Sequence, residues 1–132
     1  MKKGYKGNIE TLTVENTHFR EVLYTGEQLQ LVLMSLKEGE DIGEEVHNEN
    51  DQFFRFDAGK GRVVINDTEY EVTDGDSVIV PRGARHNVIN TSDEPLQFYT
   101  IYAPSHHKDQ IIHSTKQEAV TDEEEFDGVT TE

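Results

Sequence analysis

The chain has 132 residues, the size of one domain, and a formal net charge of −15 from 12 Lys and Arg against 27 Asp and Glu. That balance argues against nucleic acid, whose affinity rests on Lys and Arg neutralising phosphates, and against an anionic membrane surface. Cysteine is absent, which excludes disulfides, thiolate-bound zinc, Fe–S clusters and thiol nucleophiles.

The opening MKKGYKGNIETL has no apolar run of the kind a secretory signal needs. No stretch approaches the about 18 apolar residues of a membrane span, so the expected location is the cytoplasm. Leu, Ile, Val and Phe account for 33 residues, enough for a lean folded core. Their distribution predicts short strands over Ile9–Val14, Arg20–Thr25, Leu29–Leu36, Glu44–His47, Gln52–Phe56, Arg62–Asn66, Glu69–Val72, Ser77–Val80, His86–Thr91 and Leu96–Tyr102. β-Branched and aromatic residues mark these segments. Turn residues separate them, as in Ala58-Gly59-Lys60-Gly61, Asp74-Gly75-Asp76 and Pro81-Arg82-Gly83. Closely spaced strands without helical patterns between them predict an all-β sandwich or barrel.

Only the end of the chain reads as helix. Ser114 with Gln117, and Thr121 with Glu124, have the spacing of capping boxes. The apolar content there is thin (Ala119, Val120, Phe126). From Glu118 to Glu132 there is no Lys or Arg, so this acidic run reads as a solvated tail. One domain is expected over 1–132, with residues 1–8 and 121–132 peripheral.

The chemistry gathers in two segments. Residues 75–90 read GDSVIVPRGARHNVIN. Asp74-Gly75 turns the chain, Val78 and Val80 alternate inward, and Pro81-Arg82-Gly83 makes a sharp turn with Pro expected at its second position. His86 then opens a strand with Val88 and Asn90 on the same face. A rigid turn immediately before a histidine pre-aims a ligand.

This segment resembles the second motif of the cupin superfamily, G-x5-P-x-G-x2-H-x3-N, with every fixed position filled. The resemblance implies a double-stranded β-helix (jelly-roll-like) barrel, its core at about 29–104, followed by a short helical and acidic tail. It also implies that His86 is a metal ligand. The first cupin motif, G-x5-H-x-H-x3–4-E-x6-G, aligns less fully. His47 takes the first His position, Glu49 stands where the second His is expected, Gln52 fills the Glu position and Gly59 closes the motif. Asp41 stands at the expected first Gly.

His47 and Glu49, two apart, share one face of a strand. Gln52 falls on the other face unless the polar run Asn48-Glu49-Asn50-Asp51 breaks or bulges the strand. With such a break, Gln52, Phe54 and Phe56 point inward, and Arg55 and Asp57 outward. The resemblance then implies a divalent transition metal (Mn, Fe, Co, Ni or Zn) held by His47, Gln52 and His86. Glu49 is a fourth ligand, a general base or an exposed loop carboxylate. His106 and His107 read as a polar loop, and His18 and His113 as packing or surface residues. Either Phe98, Thr100 and Tyr102 or Tyr99 and Ile101 line the barrel.

The family resemblance implies a small-molecule pocket. It is expected to serve a metal-dependent enzyme acting on a sugar, sugar acid or carboxylate, with Glu49 as the catalytic proton shuttle. The alternative is a binding module that senses a small ligand without turnover. Cupins of this size commonly form homodimers, and the segment Ile9–Val14 is the strand expected to cover an edge.

Overall fold

The computed structural model describes residues 1–132. In chain order the elements are α1 (Ile9–Glu15), β1 (Arg20–Thr25), β2 (Gln30–Leu36), β3 (Glu45–Val46), β4 (Asp51–Ala58), β5 (Lys60–Ile65) and β6 (Thr68–Thr73). They continue with β7 (Ser77–Val80), β8 (Arg85–Asn90), β9 (Leu96–Ala103), β10 (Ile112–His113) and α2 (Lys116–Thr121). The strands form two antiparallel sheets, one ordered β10-β1-β2-β9-β4-β7 and the other β3-β8-β5-β6. The expected all-β barrel with a short C-terminal helix is the fold observed.

The core lies between the sheets, and strand alternation decides which residues reach it. On β9, Leu96, Phe98, Thr100 and Tyr102 are buried; the set containing Tyr102 therefore lines the interior. On β4, Gln52, Phe54 and Phe56 face in as anticipated. Phe54 and Phe56 pack against Phe98, with ring centroids 5.8 and 5.1 Å away respectively. Asp57 departs from expectation. A register shift between Phe56 and Ala58 leaves it buried beside Arg55, 3.3 Å from the guanidinium Nε. An irregularity of this kind breaks strict alternation.

Ile9–Val14, expected as a strand, is the helix α1. The Asn8 side chain accepts from Thr11 N at 3.1 Å, a helix N-cap. At the other end, Gln97 Nε2 donates to the carbonyls of Val14 and Asn16. Ile9, Leu12, Thr13 and Asn16 are the less exposed positions, a helical spacing that the β-branched composition obscured. The helix packs on β2, β4 and β9, which is why β2 is buried on both faces. A segment expected to cover a partner's edge therefore covers its own sheet.

Gly59 turns the chain from β4 in one sheet to β5 in the other. Its φ is 91°, and a Cβ there would collide with the Pro95 carbonyl, so both conformation and space require glycine.

Candidate metal centre and cleft

The turn at 81–84 prepares the site. Ala84 N donates to Pro81 O at 3.1 Å, so Pro81 stands first in the turn rather than second. Gly83, with φ of 87°, takes the third position, which needs positive φ. Gly83 N in turn donates to His47 O at 2.8 Å. One turn thus aims His86 along β8 and holds the backbone at His47. Opposite, β3 pairs Glu45 with His86 in register. The chain then bends at Asn48 and Glu49 and enters the other sheet as β4. This is the break that turns Gln52 inward.

The potential ligand atoms of Glu45, His47 and His86 lie within 4.8 Å of one another. His86 is 1% exposed. Its Nδ1–H donates to Ala84 O at 3.1 Å, which leaves the Nε2 lone pair buried with no partner. Burial holds its pKa below the ordinary histidine range, against the opposing pull of the Ala84 carbonyl and Glu45. His47 Nε2 is 2.9 Å from Glu45 Oε2. Burial raises the Glu45 carboxyl, but the bond to His47 and the charges of His47, Arg20 and His86 outweigh it and keep the group below its usual range. Gln52 Nε2 donates to Thr100 Oγ1 at 3.0 Å, and Gln52 Oε1 is a second buried acceptor with no partner.

Buried acceptors without donors cost free energy. Imidazole nitrogens, a carboxylate and an amide oxygen form a donor set suited to a divalent transition ion. The residues present therefore fit the metal that the fold implies, with Glu45, His47 and His86 as the group that would hold it. Glu49, expected here as ligand and proton shuttle, is exposed. The carboxylate brought to the histidines is Glu45, two residues before His47 rather than two after. Strand parity allowed either, and the bend at Asn48–Glu49 decided between them.

A cleft of about 360 Å³ opens above His47, with Glu49, His106, Glu125 and Phe126 in its walls. The His106 ring lies 4.4 Å from that of His47 and 5.1 Å from that of Tyr102. Burial, together with the nearby His107 and His47, pushes the pKa of His106 down to about 4. His107, expected in a polar loop, is buried. Its Nδ1 is 2.9 Å from Glu124 Oε2 and its Nε2 is 3.1 Å from the Tyr102 hydroxyl. The proton therefore belongs on Nδ1, donated to Glu124, while Tyr102 donates to Nε2. Burial raises the Glu124 carboxyl, but the bonds from His107 and Lys108 N overcome this and bring its pKa to about 2.

The acidic run is thus docked rather than free. Phe126 N donates to His106 O at 2.8 Å, and Glu132 accepts from Gly4 N and Tyr24. The final helix α2 is capped by Thr115, whose side chain accepts from Glu118 N, one residue beyond the expected box. Thr121–Glu124 forms no second helix. His106 and His107 had no local signal, since their partners come from β9 and from the end of the chain.

Two sheets closed over an aromatic core, with paired histidines and a carboxylate at one end, define a small barrel with a metal-type donor set. The chain belongs to the cupin family: residues 32–102 match the cupin domain. It is 42% identical to the Bacillus subtilis protein YrkC in an alignment of 128 positions that covers 92% of this chain and 69% of that one. It is 39% identical to protein L612 of Acanthamoeba polyphaga mimivirus, over 78% of this chain and 67% of that one. The crystal structure of BH2720 from Bacillus halodurans superposes with a TM-score of 0.89 at 40% identity, covering 91% of this chain and 96% of that one. No helix is long and apolar enough to cross a membrane.

Proposed function

We propose that this cupin is a metal-dependent enzyme acting on a small polar molecule that enters through the cleft above His47. The observation that carries the reading is the buried His86 Nε2, an acceptor without a donor, within 4.8 Å of the ligand atoms of Glu45 and His47. When bound, a divalent ion supplies Lewis acidity toward a carbonyl or enolate oxygen. The chain's own residues do the rest. The Ala84 carbonyl fixes the His86 tautomer, so that Nε2 is presented as a lone pair. Glu45 Oε2 and His47 Nε2 hold each other at 2.9 Å, and a bound ion would take the place of the proton between them.

Protein purified without an affinity tag is expected to carry or take up about one divalent transition ion per chain. His86→Ala removes a nitrogen that no neighbour replaces. Its affinity should fall by more than the roughly 10–100-fold typical of losing a residue outside the coordination shell. Elemental analysis and metal titration check both points. A wild-type chain that takes up no ion, or equal affinity in His86→Ala, would overturn the reading.

A further inference from the structure

The cleft walls contain Asn48, Glu49, Asn50, Ser105, His106, Glu125 and Phe126, and no Lys or Arg. Part of this polar surface is already committed. Asn50 Nδ2 donates to Pro104 O, and Ser105 Oγ donates to the carbonyls of Gly26 and Leu29. The side chains of Glu49 and Glu125 make no hydrogen bond or ion pair, so both carboxylates keep their full accepting capacity.

Glu125 is nonetheless held in place. Its neighbour on one side, Glu124, is bonded to His107 and to Lys108 N. Its neighbour on the other side, Phe126, is tied through its backbone to His106. The buried guanidinium whose charge acts on Glu45 and Glu124 is that of Arg20; it bonds His113 and lies outside the cleft.

We propose that this cleft selects small molecules bearing hydroxyl or ammonium donors and rejects anions, with Glu49 and Glu125 as the residues that set the preference. The carboxylates accept from such donors, and the Phe126 ring offers the apolar face that a cation or a sugar's C–H surface prefers. The inference deepens the proposed function by naming the substrate class. It rests on that reading only for the ion's charge. A divalent ion beside Glu45 would be offset in part by the carboxylates of Glu49 and Glu125, and without the ion the repulsion of anions is stronger. Each exposed carboxylate at several ångströms changes anion affinity about three-fold, and the two together about ten-fold.

The test follows the ring signals of His47 and His106 by NMR in metal-free and in zinc-loaded protein. Acetate, acetamide and methylammonium serve as probes of one size and three charges. In metal-free wild type, acetamide and methylammonium should bind and acetate should bind about ten-fold more weakly. In E49Q/E125Q, acetate should gain about ten-fold in both forms, acetamide should be unchanged and methylammonium should weaken. These exposed side chains bond nothing, so the variant should fold as the wild type does. Acetate as strong as acetamide in the metal-free protein, no gain for acetate in E49Q/E125Q, or no response to any probe would each overturn the inference. Zinc stoichiometry, measured on the same samples, reports separately on the metal reading.

Discussion

His86 and His107 are both buried in one barrel, and they are finished differently. His107 has a partner on each ring nitrogen, Glu124 on one side and Tyr102 on the other. His113 is equally saturated, between Arg20 and Asp122. His86 has one bond, to its own turn, and a buried Nε2 with nothing to accept. Burial and residue type are alike, so neither separates a strut from a site. The difference is unused bonding capacity: a saturated imidazole ties elements together, whereas a half-satisfied one is held ready for something absent from the chain.

The comparison breaks most visibly if stability is lost at the wrong histidine. His107→Leu leaves Glu124 Oε2 and the Tyr102 O–H without their buried partner, and should cost about 3 kcal/mol. In metal-free protein, His86→Leu removes one bond, to the Ala84 carbonyl of its own turn, together with an Nε2 that bonds nothing, and should cost about 1 kcal/mol. Urea unfolding of the two variants decides it, and equal losses would erase the distinction.

Acid sharpens the same contrast. The Glu124 pKa is about 2 in the folded chain, below the ordinary carboxylate value that it regains on unfolding. A depressed carboxyl contributes stability that is fully present above the unfolded value and lost as pH falls through the folded one. The contribution is on the order of 2–3 kcal/mol at neutral pH. Glu124→Gln should flatten the stability profile between roughly pH 5 and pH 2, as followed by thermal unfolding across pH. An unchanged slope would show that the contact contributes little.

Gln52→Glu tests the other half-satisfied group. It places a formal charge where the amide oxygen now stands unpartnered and should tighten Mn or Ni binding about ten-fold. Equal affinities would mean that Gln52 is packing alone. Asp57 gives the smallest effect. Burial raises its pKa, against the pull of Arg55, and its Oδ2 has no partner. A raised carboxyl weakens folding once pH exceeds its ordinary value. Asp57→Asn should therefore stabilise the chain by less than about 1 kcal/mol at pH 7, a shift of a few degrees or less in Tm.

What the sequence disclosed follows the range of the interactions. The 75–90 segment was legible because its turn, histidine and strand are determined within a few residues of one another. Gln52 was legible by parity, since an inward pattern at Phe54 and Phe56 demanded a break before it. Ile9–Val14 was misread because β-branched composition outweighed the Asn8 cap and the spacing of Leu12, Thr13 and Asn16. Glu45 was available to the same parity argument as Glu49 and lost to a motif that pointed two residues onward. Asp57 was assigned outward by alternation that a register shift interrupts. His107 with Glu124, and His113 with Asp122, were invisible because a buried polar pair between distant segments leaves no local pattern.

The donors come from both halves of the fold. Glu45 and His86 belong to the four-stranded sheet, while Gln52 is the second residue of a strand of the six-stranded one. An ion held by all of them joins the two sheets by bonds that neither sheet contains. Such an ion would act as a rivet at an end where β3 has only two residues. An ion at about a hundred times its dissociation constant adds about 2.7 kcal/mol to the folded state. Removing such an ion by chelation would loosen that end before the aromatic end below, so on the proposed reading metal supply would bear on the protein's lifetime as well as its chemistry.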